Sequence, residues 1–245
     1  MDRIEVLDHG YVRLVDWMGS DLSVANAARV SFDKEAAWDG PPAGGEASGL
    51  LKQADQRLLR FLATHEHTSP FRHATLQFEV YAPMMVKNQW IKHWVSSAHL
   101  EEHSGWNESS RRYVTEEPIF YVPEWRSAPD NRKQGSGEAL GDPQLAGDAT
   151  AGTLMRQTIE AGVHNYARAM AAGLCAEQAR CFLPAYALYV RWRWTVSLQA
   201  VIHFVELRDA AEAQWEIRQY AKAVRQLAEP HFPESFRAFG TEEQP

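Results

Sequence analysis

Long hydrophobic runs are missing from this chain. No stretch of 18 apolar residues occurs in its 245 residues, so no transmembrane helix is expected. Cysteine is scarce: Cys175 and Cys181 cannot build a disulfide framework, which fits a reducing compartment. The opening Met-Asp-Arg-Ile-Glu-Val carries charge where a secretory signal is apolar, so a cytoplasmic location is expected. Positive charge is not in excess. The net charge of -7 argues against a general nucleic-acid-binding surface, yet leaves room for a local cationic pocket. Glycine-rich nucleotide fingerprints are absent too, with no G-x-G-x-x-G after a strand and no P-loop. A dinucleotide, if bound, is held without a Rossmann turn. No internal repeat is found.

What remains is an ordinary globular composition, 45% hydrophobic, enough for a sizeable core. Residues 3–7 and 11–17 read as two short strands about Asp8-His9-Gly10. Ser20 or Asp21 can cap a helix through Ala28, and residues 54–66 form another, with Leu58, Leu59 and Leu62 on one side. Thr75 to Tyr81 alternates as a half-buried strand, and Pro83 suits the first turn of the helix that follows. Ile119 to Val122 is a further short strand. Helices are expected over 151–172, ended by Gly173, and near 176–182, stopped before Pro184. Residues 189–196 alternate again as a strand, followed by helices at 198–207 and 211–228. The periodicity predicts an α+β fold in one domain spanning 1–245, with loop insertions at 34–50 and 126–150.

The chemistry concentrates between Gln89 and Tyr113. This run holds three histidines, three carboxylates, three cations, five serines and three tryptophans beside a core segment, as a pocket wall does. Within it, His99-Leu-Glu-Glu-His103 matches the H-x-x-E-H zinc pattern. Serines and Gly105 surround it and no helical period frames it. It reads better as a polar loop at a pocket mouth, and no metal is expected. Asn107-Glu-Ser-Ser-Arg-Arg112 combines hydroxyls with guanidiniums that could grip a phosphate or form a solvated loop. Arg180 and Arg208, taken singly, suit helix capping or ion pairs. Both cysteines read as buried, inert thiols.

The order of these motifs resembles the flavin-dependent thymidylate synthases over most of the chain. The resemblance rests on Val15-Asp-Trp-Met-Gly-Ser-Asp-Leu-Ser23 with Ala27-Ala-Arg-Val-Ser-Phe32, and on His65-Glu-His-Thr-Ser69-Pro-Phe-Arg-His73. It continues through Gln89-Trp90, Asn107 to Tyr113, Arg180 with Leu183-Pro184, Trp194-Thr-Val196, Leu207-Arg208 and Ala213-Gln-Trp-Glu-Ile217. It implies a central, mostly antiparallel sheet flanked by helices. It also implies reductive methylation of dUMP to dTMP with methylenetetrahydrofolate, FAD and NADPH, in a homotetramer whose active sites lie between subunits. The implied partners are thus a pyrimidine deoxynucleotide and folate, with no nucleic acid and no membrane. Carried over by position, Gln89, Lys92, Glu108, Ser110, Arg111, Arg112, Arg180 and Arg208 would hold dUMP. Arg208 would be the catalytic group on the uracil edge. Ser69, Lys92, His93, Trp94, Glu108, Ser197, Gln199 and His203 would face FAD.

The chain departs from the family pattern at defined places. The signature Arg-His-Arg becomes Lys92-His93-Trp94, and an insertion over Ala98 to Trp106 carries the H-x-x-E-H match. The family's flavin-contacting Asn and Arg fall at Ser197 and Gln199, another Asn at His203, and a usual His at Glu212. Two other readings follow from these departures. One is a paralogue acting on another pyrimidine nucleotide or releasing a hydroxymethyl product. The other is a degenerate nucleotide-binding protein without flavin.

Overall fold

The computed structural model describes residues 3–40, 49–93, 105–114, 116–129, 135–145 and 147–240. The chain opens with strand β1 (Arg3–Val6), strand β2 (Gly10–Met18) and helix α1 (Asp21–Arg29), then helix α2 (Gln53–Thr64). Strand β3 (Thr75–Pro83) runs directly into helix α3 (Met84–Trp90). Short strands β4 (Gly105–Glu108), β5 (Trp125–Arg126) and β6 (Ala139–Gly141) precede the long helix α4 (Ala151–Ala171) and the single turn α5 (Ala176–Ala179). Strand β7 (Tyr189–Ser197) leads into helix α6 (Leu198–Arg208), followed by α7 (Trp215–Ala228) and α8 (Pro233–Ala238).

Five strands form one sheet in the order β1-β2-β3-β7-β4, and every pairing is antiparallel. The expected α+β, antiparallel class is therefore the observed one. The alternation seen in the sequence explains the layering. In strands, successive side chains face opposite sides. Leu76, Phe78 and Val80 pair with Val196, Trp194 and Trp192 on the buried face. Gln77, Glu79 and Tyr81 pair with Thr195, Arg193 and Arg191 on the polar face. There Glu79 accepts from Tyr11 Oη at 3.0 Å and Arg193 Nε at 3.0 Å, and pairs with Arg13 at 3.1 Å.

Helices α3, α6 and α7 cover the apolar face. Trp90 is their fully buried keystone. It stacks on Phe204 with centroids 4.3 Å apart and meets Trp192 and Trp194 edge-on at 5.4 and 5.5 Å. Deleting such a ring typically costs about 3–5 kcal/mol. This packing also fixes α3, and so places Gln89 and His93 beside α6.

The structure revises several local expectations. Pro83 ends β3 and stands as the N-cap of α3 rather than in its first turn. Residues 119–122 form no strand of their own: Phe120 makes an isolated antiparallel bridge to Leu188, with Tyr121 N donating to the Ala187 carbonyl and Tyr189 N to the Ile119 carbonyl, each at 2.9 Å. The described part of 126–150 is structured: β5 and β6 pair, and Asp142 accepts from Gly152 N at 2.6 Å and Thr150 Oγ1 at 2.8 Å where α4 begins. Edge strand β4 was hidden by its Gly-Trp-Asn-Glu sequence, which lacks β-branched residues. Cys175 and Cys181 are exposed, not buried, since the short α5 region carries them on the surface. Helix α7 starts at Trp215, four residues after the expected start.

Asp21 ties the two ends of the chain together. Buried in the first turn of α1, it accepts from Glu234 N at 2.8 Å, Ser235 N at 2.9 Å and Ser235 Oγ at 2.5 Å. An acceptor removed here leaves buried donors without a partner. Asp21→Ala should lower unfolding free energy by about 2–3 kcal/mol, measured by urea denaturation, because each orphaned donor carries a desolvation cost. A variant as stable as the parent would show that the tie contributes nothing.

Candidate active site

Arg208 ends α6 half-buried, against the turn that follows α3. Its Nε donates to His93 Nε2 at 2.8 Å and its Nη2 to the Gln89 carbonyl at 3.5 Å. A guanidinium has only donors, so His93 Nε2 must be the unprotonated nitrogen of a neutral ring. His93 is itself buried, edge-on to Phe204 at 5.1 Å. Burial pushes its pKa down to about 3, with the Arg208 charge and then His203 adding in the same direction. Gln89 donates its amide to Gln214 Oε1, and Gln214 Nε2 donates to the buried Glu216 at 2.7 Å. The Gln89 side chain is thus held from α7, through residues whose pattern alone gave no sign of the link.

The far end of α6 meets the 3-10 turn Ser69–His73 for a topological reason. Thr75 pairs with Ser197, so the residues just before β3 and just after β7 emerge at the same end of the sheet. Leu198 N donates to the Ala74 carbonyl at 2.8 Å, and Ser197 Oγ caps α6 by accepting from Ala200 N at 3.2 Å. Ser69 is exposed on this turn. Arg72 Nε donates to Gln199 Oε1 at 2.7 Å. His203 lies one turn further along α6, its ring 5.8 Å from that of His93. Gln199 and His203 thus lie on α6 with Ser197 at its cap, and Arg72 and His93 reach that helix from the 69–73 turn and from the turn after α3.

At the sheet edge, Glu108 pairs with Lys87 Nζ at 2.9 Å and accepts from Trp106 Nε1 at 3.4 Å. Trp106 stacks on Trp192, centroids 5.4 Å apart. The next turn is pinned to β7: Ser109 N donates to the Arg191 carbonyl at 2.7 Å and Arg191 N to Ser109 Oγ at 3.1 Å. Ser110 Oγ accepts from Arg112 N at 3.3 Å and Arg112 Nε at 3.2 Å. Arg112 also lies 3.9 Å from Glu177, on the short helix that leads into exposed Arg180. Arg111 donates instead to the Glu116 carbonyl at 2.6 Å. Among the described residues, no hydrogen bond or ion pair joins this turn to Arg208. Lys92 is exposed; Trp94 and the His99 to His103 pattern lie outside the described residues. No group of three or more metal-ligating side chains occurs among those described.

A family model described as thymidylate synthase complementing protein matches residues 13–234. The chain belongs to that family. A flavin-dependent thymidylate synthase of Thermus thermophilus is 37% identical over 237 residues, covering 96% of this chain and 77% of the relative. One from Thermotoga neapolitana is 33% identical, covering 97% and 94%. Among solved structures, a UMP/dUMP methylase PolB from Streptomyces cacaoi bound with 5-Br dUMP superimposes with a TM-score of 0.72. It shares 27% identity and covers 97% of both chains.

The neutral state of His93 is testable. Its folded pKa lies below the ordinary 6.5, so the unfolded chain takes up a proton that the folded chain refuses between about pH 6.5 and 3. Its contribution to stability is complete above pH 6.5 and falls as pH drops through that window. With ring-labelled histidine, the His93 NMR signal should stay that of a neutral imidazole at pH 5. In Arg208→Met the titration should move upward, because a neighbouring cation has gone. A His93 ring protonating near pH 6.5 in the parent would contradict the arrangement.

Proposed function

We propose that this chain is a flavin-dependent thymidylate synthase, one catalytic domain that methylates dUMP to dTMP with methylenetetrahydrofolate as carbon donor and NADPH as reductant. Arg208 is the observation that carries the reading. Its guanidinium is oriented before any ligand arrives, by a neutral acceptor on one side and a backbone carbonyl on the other. Beside the uracil edge, it would stabilise negative charge developing at N3 and O4 as C5 becomes nucleophilic. A fixed donor of this kind needs no reorganisation during the reaction, and that is where its value lies. The reaction so written uses no cysteine as a nucleophile.

Ser110, Arg112 and Arg180 would hold the nucleotide phosphate and sugar with Gln89, since guanidiniums bind phosphate bidentately. Arg111, engaged with the Glu116 carbonyl, would instead shape the turn. Glu108, held by Lys87, would lie between nucleotide and cofactor. The residues along α6 fit FAD. The Arg72 cation, the Gln199 amide and the His93 and His203 imidazoles offer charge and hydrogen bonds to an anionic dinucleotide. Ser69, Lys92, Trp94 and Ser197 would border it. When bound, FAD supplies the redox chemistry, carrying hydride from NADPH to the nucleotide.

No hydrogen bond or ion pair joins the 109–113 turn to Arg208 among the described residues, which is compatible with sites completed between subunits of a homotetramer. Tyr113, on that turn, is exposed and suits burial against another subunit. The sparse cysteines, and the lack of any helix able to span a membrane among the described residues, support a cytoplasmic enzyme.

One specific observation favours a second reading. The neighbouring structures are of a UMP/dUMP methylase, bound in one case with 5-Br dUMP and in another with 5-Br UMP. A ribonucleotide substrate is the alternative, and turnover of UMP in preference to dUMP would establish it.

The purified protein should be yellow, absorbing in the blue through bound FAD. Arg208→Ala should keep that absorbance and the parent's elution volume on gel filtration, while dTMP formation falls by about 10²–10³-fold, the usual loss for a preorganised charge-stabilising donor. Parental turnover in the variant would remove Arg208 from the reaction. A colourless protein that binds no added FAD would overturn the flavin reading.

A further inference from the structure

We infer that Glu216 is a positioning residue for the nucleotide: acting through Gln214, it turns the Gln89 amide so that its oxygen, and not its nitrogen, meets the ligand and accepts from a sugar hydroxyl. The inference rests on the nucleotide reading above and deepens it. Three side chains form a line. Glu216, 6% exposed, accepts from Gln214 Nε2 at 2.7 Å. Gln214 Oε1 in turn accepts from Gln89 Nε2. Among the described residues, Gln89 Oε1 has no partner. The Gln89 backbone carbonyl accepts from Arg208 Nη2 at 3.5 Å, so the open oxygen belongs to a residue already at the site.

The direction of the line is set at its buried end. A carboxylate has acceptors only, whereas each amide has a donor end and an acceptor end. Gln214 must therefore give its nitrogen to Glu216. Reversed, it would set two acceptors face to face and leave a buried carboxylate without its charge-assisted hydrogen bond. That turns Gln214 Oε1 toward Gln89, which must answer with Nε2. Each amide passes the polarity on, and the outer end of Gln89 is an acceptor. A fully ionised phosphate also has acceptors only, so Gln89 Oε1 is not a phosphate ligand. The uracil edge is taken by Arg208 in the reading above. The donor that remains on dUMP is its 3′-hydroxyl.

A group that meets this hydroxyl distinguishes dUMP from 2′,3′-dideoxyuridine monophosphate, which lacks it. Binding of the two would be compared by calorimetry on the purified flavoprotein. The parent should prefer dUMP by about tenfold, near the upper worth of one hydrogen bond. Glu216→Gln keeps the shape but adds a donor end, so the line can run either way. The preference should then fall to about threefold or less, through weaker dUMP binding with the analogue unchanged. Gln214→Leu, at a half-buried position, cuts the line and should do the same, giving a reading even if Glu216→Gln fails to fold. A carboxylate in the first turn of α7 also steadies that helix, but this role would weaken both ligands alike. Equal losses of both ligands, or the parental preference kept in either variant, would overturn the inference. So would a parent that binds the two equally. A parent that binds neither would be different: it would strike at the nucleotide reading, and this inference would fall with it.

Discussion

Nine consecutive residue pairs, from Thr75 with Ser197 to Pro83 with Tyr189, hold β3 and β7 in one unbroken antiparallel register. Most of the molecule depends on that alignment. Side chains alternate along a strand, so a slip of one residue would exchange the faces. Trp192 and Trp194 would leave the core, and Arg191 and Arg193 would enter it. The same register decides what leaves the sheet at its ends. At one end it brings the 69–73 turn to the start of α6. Further along, α3 folds back beneath the tryptophans, and Trp90 stacked on Phe204 carries His93 to α6.

The electrostatics of the site follow from this packing. An imidazole buried next to a guanidinium cannot afford a proton of its own, so it serves as acceptor and orients the cation instead. Arg208 therefore reaches any ligand already aligned. Charge elsewhere is handled differently. Glu108 and Lys87 neutralise each other at the sheet edge, and Arg112 sits exposed on a turn clipped to β7. One chain thus contains a rigid interior group around Arg208 and an exposed turn that carries Ser110 and Arg112.

Much of this could be read from the residues. Alternation over 75–81 and 189–196 marked the two central strands, because half-buried strands impose a period of two. The helices at 21–29, 53–64 and 151–171 were legible from caps and apolar spacing. Strand β4 was not, since an edge strand borrows its stability from its neighbour and needs little propensity of its own. The β5–β6 pair escaped notice for a similar reason: Gly, Pro and Asp conceal a hairpin as easily as they make a loop. The likeness to known synthases pointed to Arg208, Gln89 and His93. It could not show that His93 accepts from Arg208, that Gln214 and Glu216 hold Gln89, or that Arg72 stands against Gln199. Those are long-range contacts, separated by 115, 125 and 127 residues for the pairs His93–Arg208, Gln89–Gln214 and Arg72–Gln199. No local pattern encodes them.

The central claim is that this fold places a methyl group on a pyrimidine deoxynucleotide. The most direct measurement is the mass of the nucleotide recovered after incubating the purified protein with dUMP, methylenetetrahydrofolate, FAD and NADPH. The account predicts a product heavier than dUMP by one CH₂, coeluting with dTMP and absent when NADPH or folate is left out. Unchanged dUMP, or a product carrying a hydroxymethyl group, would contradict it.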